Sequence, residues 1–331
     1  MRAYHLEQLG TLDGLAVSEH ATPSPGAGEV LIRVRASSLN FRDLLIANGW
    51  YSPPVALGRV PLSDAAGEVE AIGSDVTRFK VGDRVINSFF PNWFGGTFNV
   101  VPQQWGIDHD GWLTEYKVVN AEALVLMPDH LSFEEAATLP CAGVTAWSAL
   151  AGVSAGDTVL TEGTGGVSLF AVQLAKALGA RVIATTSSPE KAERLRQLGA
   201  DHVIDYRTTK EWGKQVRALT GGRGVDRVVE VGGANTLAQS VQAIAYGGQI
   251  SLVGILAGVE GGIDFMTMFA THATFKSIAV GSRRDLEDMN RVLAQHQIRP
   301  VIDSVYAFDD AIAGLSYFAD RQLFGKVVIR H

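Results

Sequence analysis

The chain has 331 residues, enough for two full cores, and its 47% hydrophobic and 19% charged residues with 36 glycines describe a turn-rich globular protein. A formal net charge of −7 excludes a general nucleic-acid binder, which needs a basic face. No apolar run approaches the roughly 18 residues of a membrane span, and "MRAYHLEQLG" lacks a secretory core. The single cysteine, Cys141, rules out an internal disulfide, so the expected location is cytoplasmic.

Residues 1–126 read mostly as strands and turns. In "GEVLIRVRASSLN", Val30, Ile32, Val34 and Ala36 fall on one side and Leu31, Arg33 and Arg35 on the other. A helix is predicted in "FRDLLIANG", between Asn40 and Gly49. Short strands follow in "DAAGEVEAIG", "GDRVINSF" and "WLTEYKVV", with "FFPNWFGGTFNVVPQQWGIDHDGW" as a long aromatic loop. From residue 127 the pattern changes: "LSFEEAATLPCAGVTAWSALAGV" reads as helical. "DTVLTEG", "RVIATT", "HVIDY", "VDRVVEV" and "QISLVGI" then alternate with helical segments. Apolar runs alternating with helices predict an α/β fold with a parallel, doubly wound sheet. The helix "RRDLEDMNRVLAQH", the strand "VIDSVYAF", another helix and the strand "GKVVIR" complete the chain.

In "VLTEGTGGVS" a strand runs into an amphipathic helix through glycines, inside one β-α-β unit. That context turns a weak glycine pattern into a dinucleotide prediction. Gly163 permits the tight turn, Gly165 lets backbone approach a pyrophosphate, and Thr164, Gly166 and Val167 complete the cradle. Ser168 occupies the third position of the pattern, which serves helix–strand packing. The second strand ends in Thr185, Thr186, Ser187 and Ser188, where an NAD site would carry a carboxylate for the ribose hydroxyl. Lys191, in the first turn of the next helix, is disfavoured there by the helix dipole unless an anion is bound. The expected cofactor is therefore NADPH, with Thr186, Ser187 and Lys191 around the 2′-phosphate.

Taken together, "ASSLNFRDLLIANGWY", "DAAGEVEAIGSDVTRFKVGDRV", "LTEYKVV", "ATLPCAGVTAWSAL", the glycine loop and "GKVVI" resemble the medium-chain dehydrogenase/reductase superfamily. The likeness is to its zinc-free branch, the NADPH:quinone oxidoreductase-like and zincless alcohol dehydrogenase-like proteins. It implies a GroES-like, mostly-β catalytic domain at 1–126, completed by 282–331, and a Rossmann NADP-binding domain at 127–281. It also implies a cleft where the two domains meet, and a homodimer. Further cofactor contacts implied by the resemblance are Tyr206, Gly232, Gly254, Gly281, Ser282 and Arg321.

The zinc branch has ligands at positions matching Asn40, Ser63-Asp64 and Cys141. Neutral Asn and Ser are poor zinc ligands, and one thiolate does not replace the rest, so no metal is expected. Hydride transfer without a Lewis acid needs donors aimed at a developing oxyanion, or an electron-poor acceptor. Asn40 and Tyr51 are the candidate donors, and Asp64 is either a partly buried acid in the vacated position or a strand-start cap. Asn40 with Asp43 also matches a helix capping box, and the two roles are compatible. Trp50, Trp93 and Phe94 are candidates for an apolar substrate wall. Cys141 reads as a small buried hydrophobe, and His109 as solvated. The leading expectation is reduction of a quinone, conjugated enone or related carbonyl. A zincless alcohol dehydrogenase or aldehyde reductase, and an NADPH-binding structural or regulatory protein with little turnover, are the alternatives.

Overall fold

The chain divides into two units, residues 1–144 with 281–331, and residues 145–280. The computed structural model describes residues 1–52, 54–98, 103–320 and 322–331. Among these, no helix is long and apolar enough to cross a membrane.

In the first unit, β1 (Arg2–Leu6) and β2 (Leu15–Glu19) form an antiparallel ribbon. β3 (Glu29–Ser38), α1 (Phe41–Ala47), β4 (Asp64–Ile72), β5 (Arg84–Asn87), β6 (Tyr116–Asn120), β7 (Leu124–Leu126) and α2 (Phe133–Ala136) follow. The alternation seen in β3 has its physical cause in burial: Val30, Ile32 and Val34 enter a core with Trp105 and Trp112 and Ala36 is buried, whereas on the other side Arg33 is exposed though Leu31 is buried. The helix α3 (Val144–Ala149) leads into the second unit, built from β8 (Thr158–Glu162), α4 (Gly166–Ala177), β9 (Arg181–Thr186), α5 (Pro189–Gln197), β10 (His202–Asp205), α6 (Trp212–Leu219), β11 (Val225–Glu230), α7 (Ala234–Ala243), β12 (Ile244–Leu252), α8 (Phe265–Phe269) and β13 (Thr274–Ser277). The chain then returns to the first unit with α9 (Arg283–His296), β14 (Ile302–Ala307), α10 (Ala311–Ala319) and β15 (Lys326–Arg330).

The first unit's larger sheet has the order β14-β15-β3-β4-β5-β7, with β6 also on β3. Pairing β15 against β3 sets Val328 opposite Ser38, and the Leu39 N–H donates to the Val327 carbonyl at 3.0 Å. This register carries Lys326 to the entrance of α1. The second unit is a parallel sheet of order β10-β9-β8-β11-β12-β13, the doubly wound arrangement expected. The sequence predicts five of these strands. The sixth, β13, reads "TFKS" and has three exposed residues, so it lacks an apolar run that periodicity can detect.

Two other expectations need adjustment. Residues 127–144 group with the first unit, where the Arg84 guanidinium donates to the Leu131 carbonyl at 2.6 Å and His130 donates to the Ile298 carbonyl at 2.9 Å. The long helix read there is broken. α2 is one turn, begun by a Ser132–Glu135 capping box, and a π-helical turn over Leu139–Gly143 precedes α3. Pro140 has no N–H for the ordinary ladder, which accounts for the widened turn. The apolar face of α4 is broad. Leu169, Phe170, Val172 and Leu174 are buried while Val167 and Leu178 are only half-buried. Burial of such side chains stabilises by about 1.5–3 kcal/mol each, more than the side-chain cap that Gly165 cannot supply.

Candidate dinucleotide site and buried polar centre

The glycine loop leaves β8 at Glu162 and enters α4 at Gly166. Gly163 has φ +72°, a conformation that excludes most side chains, and a Cβ there or on Gly165 would meet no heavy atom within 4 Å. Gly165 caps α4 with no side-chain bond, so the first amides of the helix remain for an anion. These features fit a dinucleotide pyrophosphate. Ser168 lies at the packing position: its buried hydroxyl donates to the Glu162 carbonyl at 2.6 Å.

Beside the loop, β9 ends in the buried Thr185 and Thr186 and the half-buried Ser187. The Tyr206 N–H donates to the Thr186 carbonyl at 3.0 Å, which brings the exposed Tyr206 ring to that strand end. Ser188 caps α5 by accepting from the Lys191 N–H at 3.1 Å, with Lys191 in the first turn as predicted. The exposed Arg207 follows Tyr206, a cation the sequence reading did not single out. Gly232 and Gly254 are glycines for internal reasons, because a Cβ would stand 2.3 Å from Thr236 Oγ1 and 2.6 Å from the Val231 carbonyl oxygen. In the first unit, Gly281 is buried and Ser282 caps α9, its hydroxyl bonded to Asp285 at 2.6 Å. Arg321 lies outside the described residues.

Under the loop, two carboxylates meet. Glu162 Oε1 is 2.8 Å and Glu230 Oε2 2.5 Å from Ser240 Oγ, all three residues being buried. Glu162 Oε2 accepts from the Val231 and Gly232 amides at 3.3 Å, and Glu230 Oε1 accepts from Gly232, Gly233 and Thr236. Burial, and then repulsion from Glu230, hold the Glu162 carboxyl well above the ordinary range. The serine hydroxyl has one hydrogen and faces two carboxyl oxygens, so one carboxyl must carry a second. Sequence reading missed this pair because its members end strands 68 positions apart.

The first unit holds a second polar centre at the meeting of α1, β4, β15 and the π-helical turn. Lys326 Nζ donates to Asn40 Oδ1 at 2.6 Å and to the Leu39 carbonyl. Asn40 Nδ2 donates to Ser63 Oγ at 3.4 Å, and Ser63 Oγ donates to Asp64 Oδ1 at 2.7 Å. The Cys141 amide donates to Asp64 Oδ2 at 3.0 Å, and Asp43 Oδ2 accepts from the Asn40 amide at 2.8 Å. Burial raises the Asp64 carboxyl against the pull of Lys326, raises Asp43 to about 6, pushes up the Cys141 thiol and lowers the Lys326 ammonium. Arg42 pairs with Asp43 at 3.4 Å and lies over the Tyr51 and Phe89 rings. Tyr51 is thereby linked to Asn40, though its phenol donates to Gln104 Oε1 at 3.0 Å. Trp93 packs with Phe90 and Phe98, Phe94 lies under the Arg283 guanidinium, and the Arg283 and Arg284 amides at the start of α9 donate to the Trp93 and Phe94 carbonyls. Trp50 is exposed and takes no part in either group.

These donors do not suit zinc: an amide, a hydroxyl and a thiol held protonated surround one carboxylate, with an ammonium alongside. Among the described residues, no group of three or more His, Cys, Asp or Glu side chains is placed to hold a metal ion.

A family model for the alcohol dehydrogenase GroES-like domain matches residues 26–129, and one for the zinc-binding dehydrogenase matches residues 166–295. A zinc-type alcohol dehydrogenase-like protein of Schizosaccharomyces pombe is 41% identical over 98% of this chain and 97% of its own. A quinone oxidoreductase of Pseudomonas aeruginosa is 33% identical over 95% of each chain. The chain belongs to the medium-chain dehydrogenase/reductase superfamily. A crystal structure described as an NAD-dependent alcohol dehydrogenase superposes with a TM-score of 0.93 and 35% identity, with full coverage of both chains. As a superfamily member, this chain is an oxidoreductase with a GroES-like unit and a Rossmann-type unit. Lys326 is the residue of its polar centre that sequence reasoning passed over. The signal present was the lysine in "FGKVVIR", an ionisable residue directly before the apolar run Val327–Ile329.

Proposed function

We propose that the protein is a zinc-independent, NADPH-dependent oxidoreductase that delivers hydride to a quinone, conjugated enone or related activated carbonyl. The observation that carries this reading is the buried centre, where Asn40 and Ser63 replace metal ligands and Lys326 contributes positive charge. The dinucleotide, when bound, supplies the hydride. Asn40 donates to the acceptor oxygen as negative charge develops there, in a dry setting where one such bond carries most weight. Asp64 keeps the amide chain oriented, and an electron-poor acceptor lessens the need for a Lewis acid. Gly163 to Val167 hold the pyrophosphate. Thr186, Ser187, Lys191 and Tyr206 receive the 2′-phosphate, a preference supported by the absence of a carboxylate at the end of β9. Exposed Tyr246, Val259, Phe265, Met266 and Phe269 in the dinucleotide unit support a homodimer.

The deciding experiment combines metal analysis of the purified protein with NADPH and NADH titrations and an acceptor panel of a quinone, an enone and an aldehyde. The reading expects sub-stoichiometric zinc, tighter NADPH binding, and turnover of the quinone or enone. Stoichiometric zinc needed for turnover, or clearly tighter NADH binding, defeats it.

A further inference from the structure

Lys326 is 3% exposed and its ammonium hydrogen-bonds no carboxylate among the described residues, Asp64 and Asp43 acting on it only through space. Its hydrogen-bond partners are two neutral oxygens, the Leu39 carbonyl and Asn40 Oδ1. A buried ammonium bonded to neutral acceptors is costly, and a purely architectural role does not account for it. Holding β15 to β3 does not require it. Backbone pairing at Val328–Ser38, Ile329–Ser37 and Arg330–Ala36, with the Leu39 to Val327 bond, already joins them.

The chemistry of the contacts is directional. An ammonium has donors and no acceptor, so the Asn40 atom facing Lys326 must be Oδ1. Nδ2 is then forced to the opposite side, toward Ser63 Oγ, whose own hydrogen is committed to Asp64 at 2.7 Å. The sequence Lys326, Asn40, Ser63, Asp64 is thus a chain of donors running from a cation to an anion. The 3.4 Å bond from Nδ2 to Ser63 is long, and one of the two amide hydrogens remains. Asp43 fixes the Asn40 backbone amide, so rotation of the side chain is the freedom left for Lys326 to remove.

We propose that Lys326 is a positioning residue that locks the Asn40 amide with its N–H side toward the acceptor oxygen. The inference rests on the functional reading above for what that N–H meets. It adds that the chain carries its own organising cation beside the positions where metal-dependent relatives place ligands.

The test compares Lys326→Met, Lys326→Arg and Asn40→Asp by steady-state kinetics, NADPH affinity and the side-chain amide signals of the 15N-labelled protein. Lys326→Met should lower kcat roughly 30- to 100-fold, with acceptor KM and NADPH affinity within about threefold. Lys326→Arg, which keeps charge and donors, should recover at least about tenfold of that loss. Asn40→Asp should stay folded by pairing with Lys326 yet lose kcat as far as Lys326→Met does. In Lys326→Met the Asn40 side-chain amide signal should move. Wild-type kcat in Lys326→Met or in Asn40→Asp, or an unmoved Asn40 signal in Lys326→Met, overturns the inference. A wild-type protein that reduces none of the acceptors defeats the functional reading alone, and the amide signal then decides whether Lys326 orients Asn40.

Discussion

Replacing Glu162 with Gln should abolish a pH dependence of stability that the buried carboxyl pair imposes. The native pair shares a proton with Ser240, whereas both glutamates of the unfolded chain ionise near their ordinary values. The folded value of Glu162 is raised, so this stabilisation is fully present below the ordinary glutamate value. It is lost as pH climbs toward the raised folded value, because the native state there binds one proton more than the unfolded state. The slope is about 1.4 kcal/mol per pH unit for one proton, or about 3 kcal/mol over two units within that window. In Glu162→Gln the amide oxygen can accept from Val231 and Gly232. Its NH₂ can donate to Ser240 Oγ, which then donates to Glu230. Every bond is kept without a titrating proton. Urea unfolding at three pH values rising from the ordinary glutamate value should therefore show the wild type losing stability relative to the variant, by up to about 1.4 kcal/mol per pH unit until the raised folded value is reached. Parallel pH profiles for the two proteins, or a variant destabilised at all three values, would refute the shared proton.

Gly163→Ala should weaken NADPH binding about tenfold in a nucleotide fluorescence titration. The cost is the left-handed φ of +72°, worth about 1–2 kcal/mol, since the added methyl meets nothing. Lys191→Ala should weaken NADPH roughly tenfold and leave NADH unchanged, measured by the same titration; equal losses would place Lys191 away from the 2′-phosphate. Ser168→Ala removes a bond to the Glu162 carbonyl and should cost about 1 kcal/mol in urea unfolding with NADPH affinity unchanged.

What could be read from the sequence followed from local periodicity. β9 runs from Arg181 to Thr186 as the run "RVIATT" suggested, and Ser188 caps α5 where its side chain and the following proline indicated. β13 escaped because an exposed four-residue edge carries no apolar signature. The break at Pro140 was signalled by the proline but hidden by good helix formers on both sides. The polar centre was half legible. Asn40 and Asp64 were visible because their neighbours carry a motif, and the Asn40–Asp43 box because its spacing is local. Lys326 was not visible, because its partners lie 286 and 287 positions away and only the β15–β3 register brings them together. Glu162 and Glu230 failed for the same reason: each is an ordinary polar residue at a strand end until two parallel strands set them side by side.

The return of the chain to its first unit orders events in time. Residues 145–280 are one continuous stretch whose parallel sheet is complete within itself once it leaves the ribosome. In the first unit β4 and β6 can pair with β3 early, but its Ala36–Ser38 end stays open on one side until β15 is made, almost the whole length of the protein later. The glycine loop is thus complete during synthesis, while Lys326 comes with the last strand. On the function proposed above, a chain cut short before Lys326 would keep the glycine loop and lose the cation that positions Asn40.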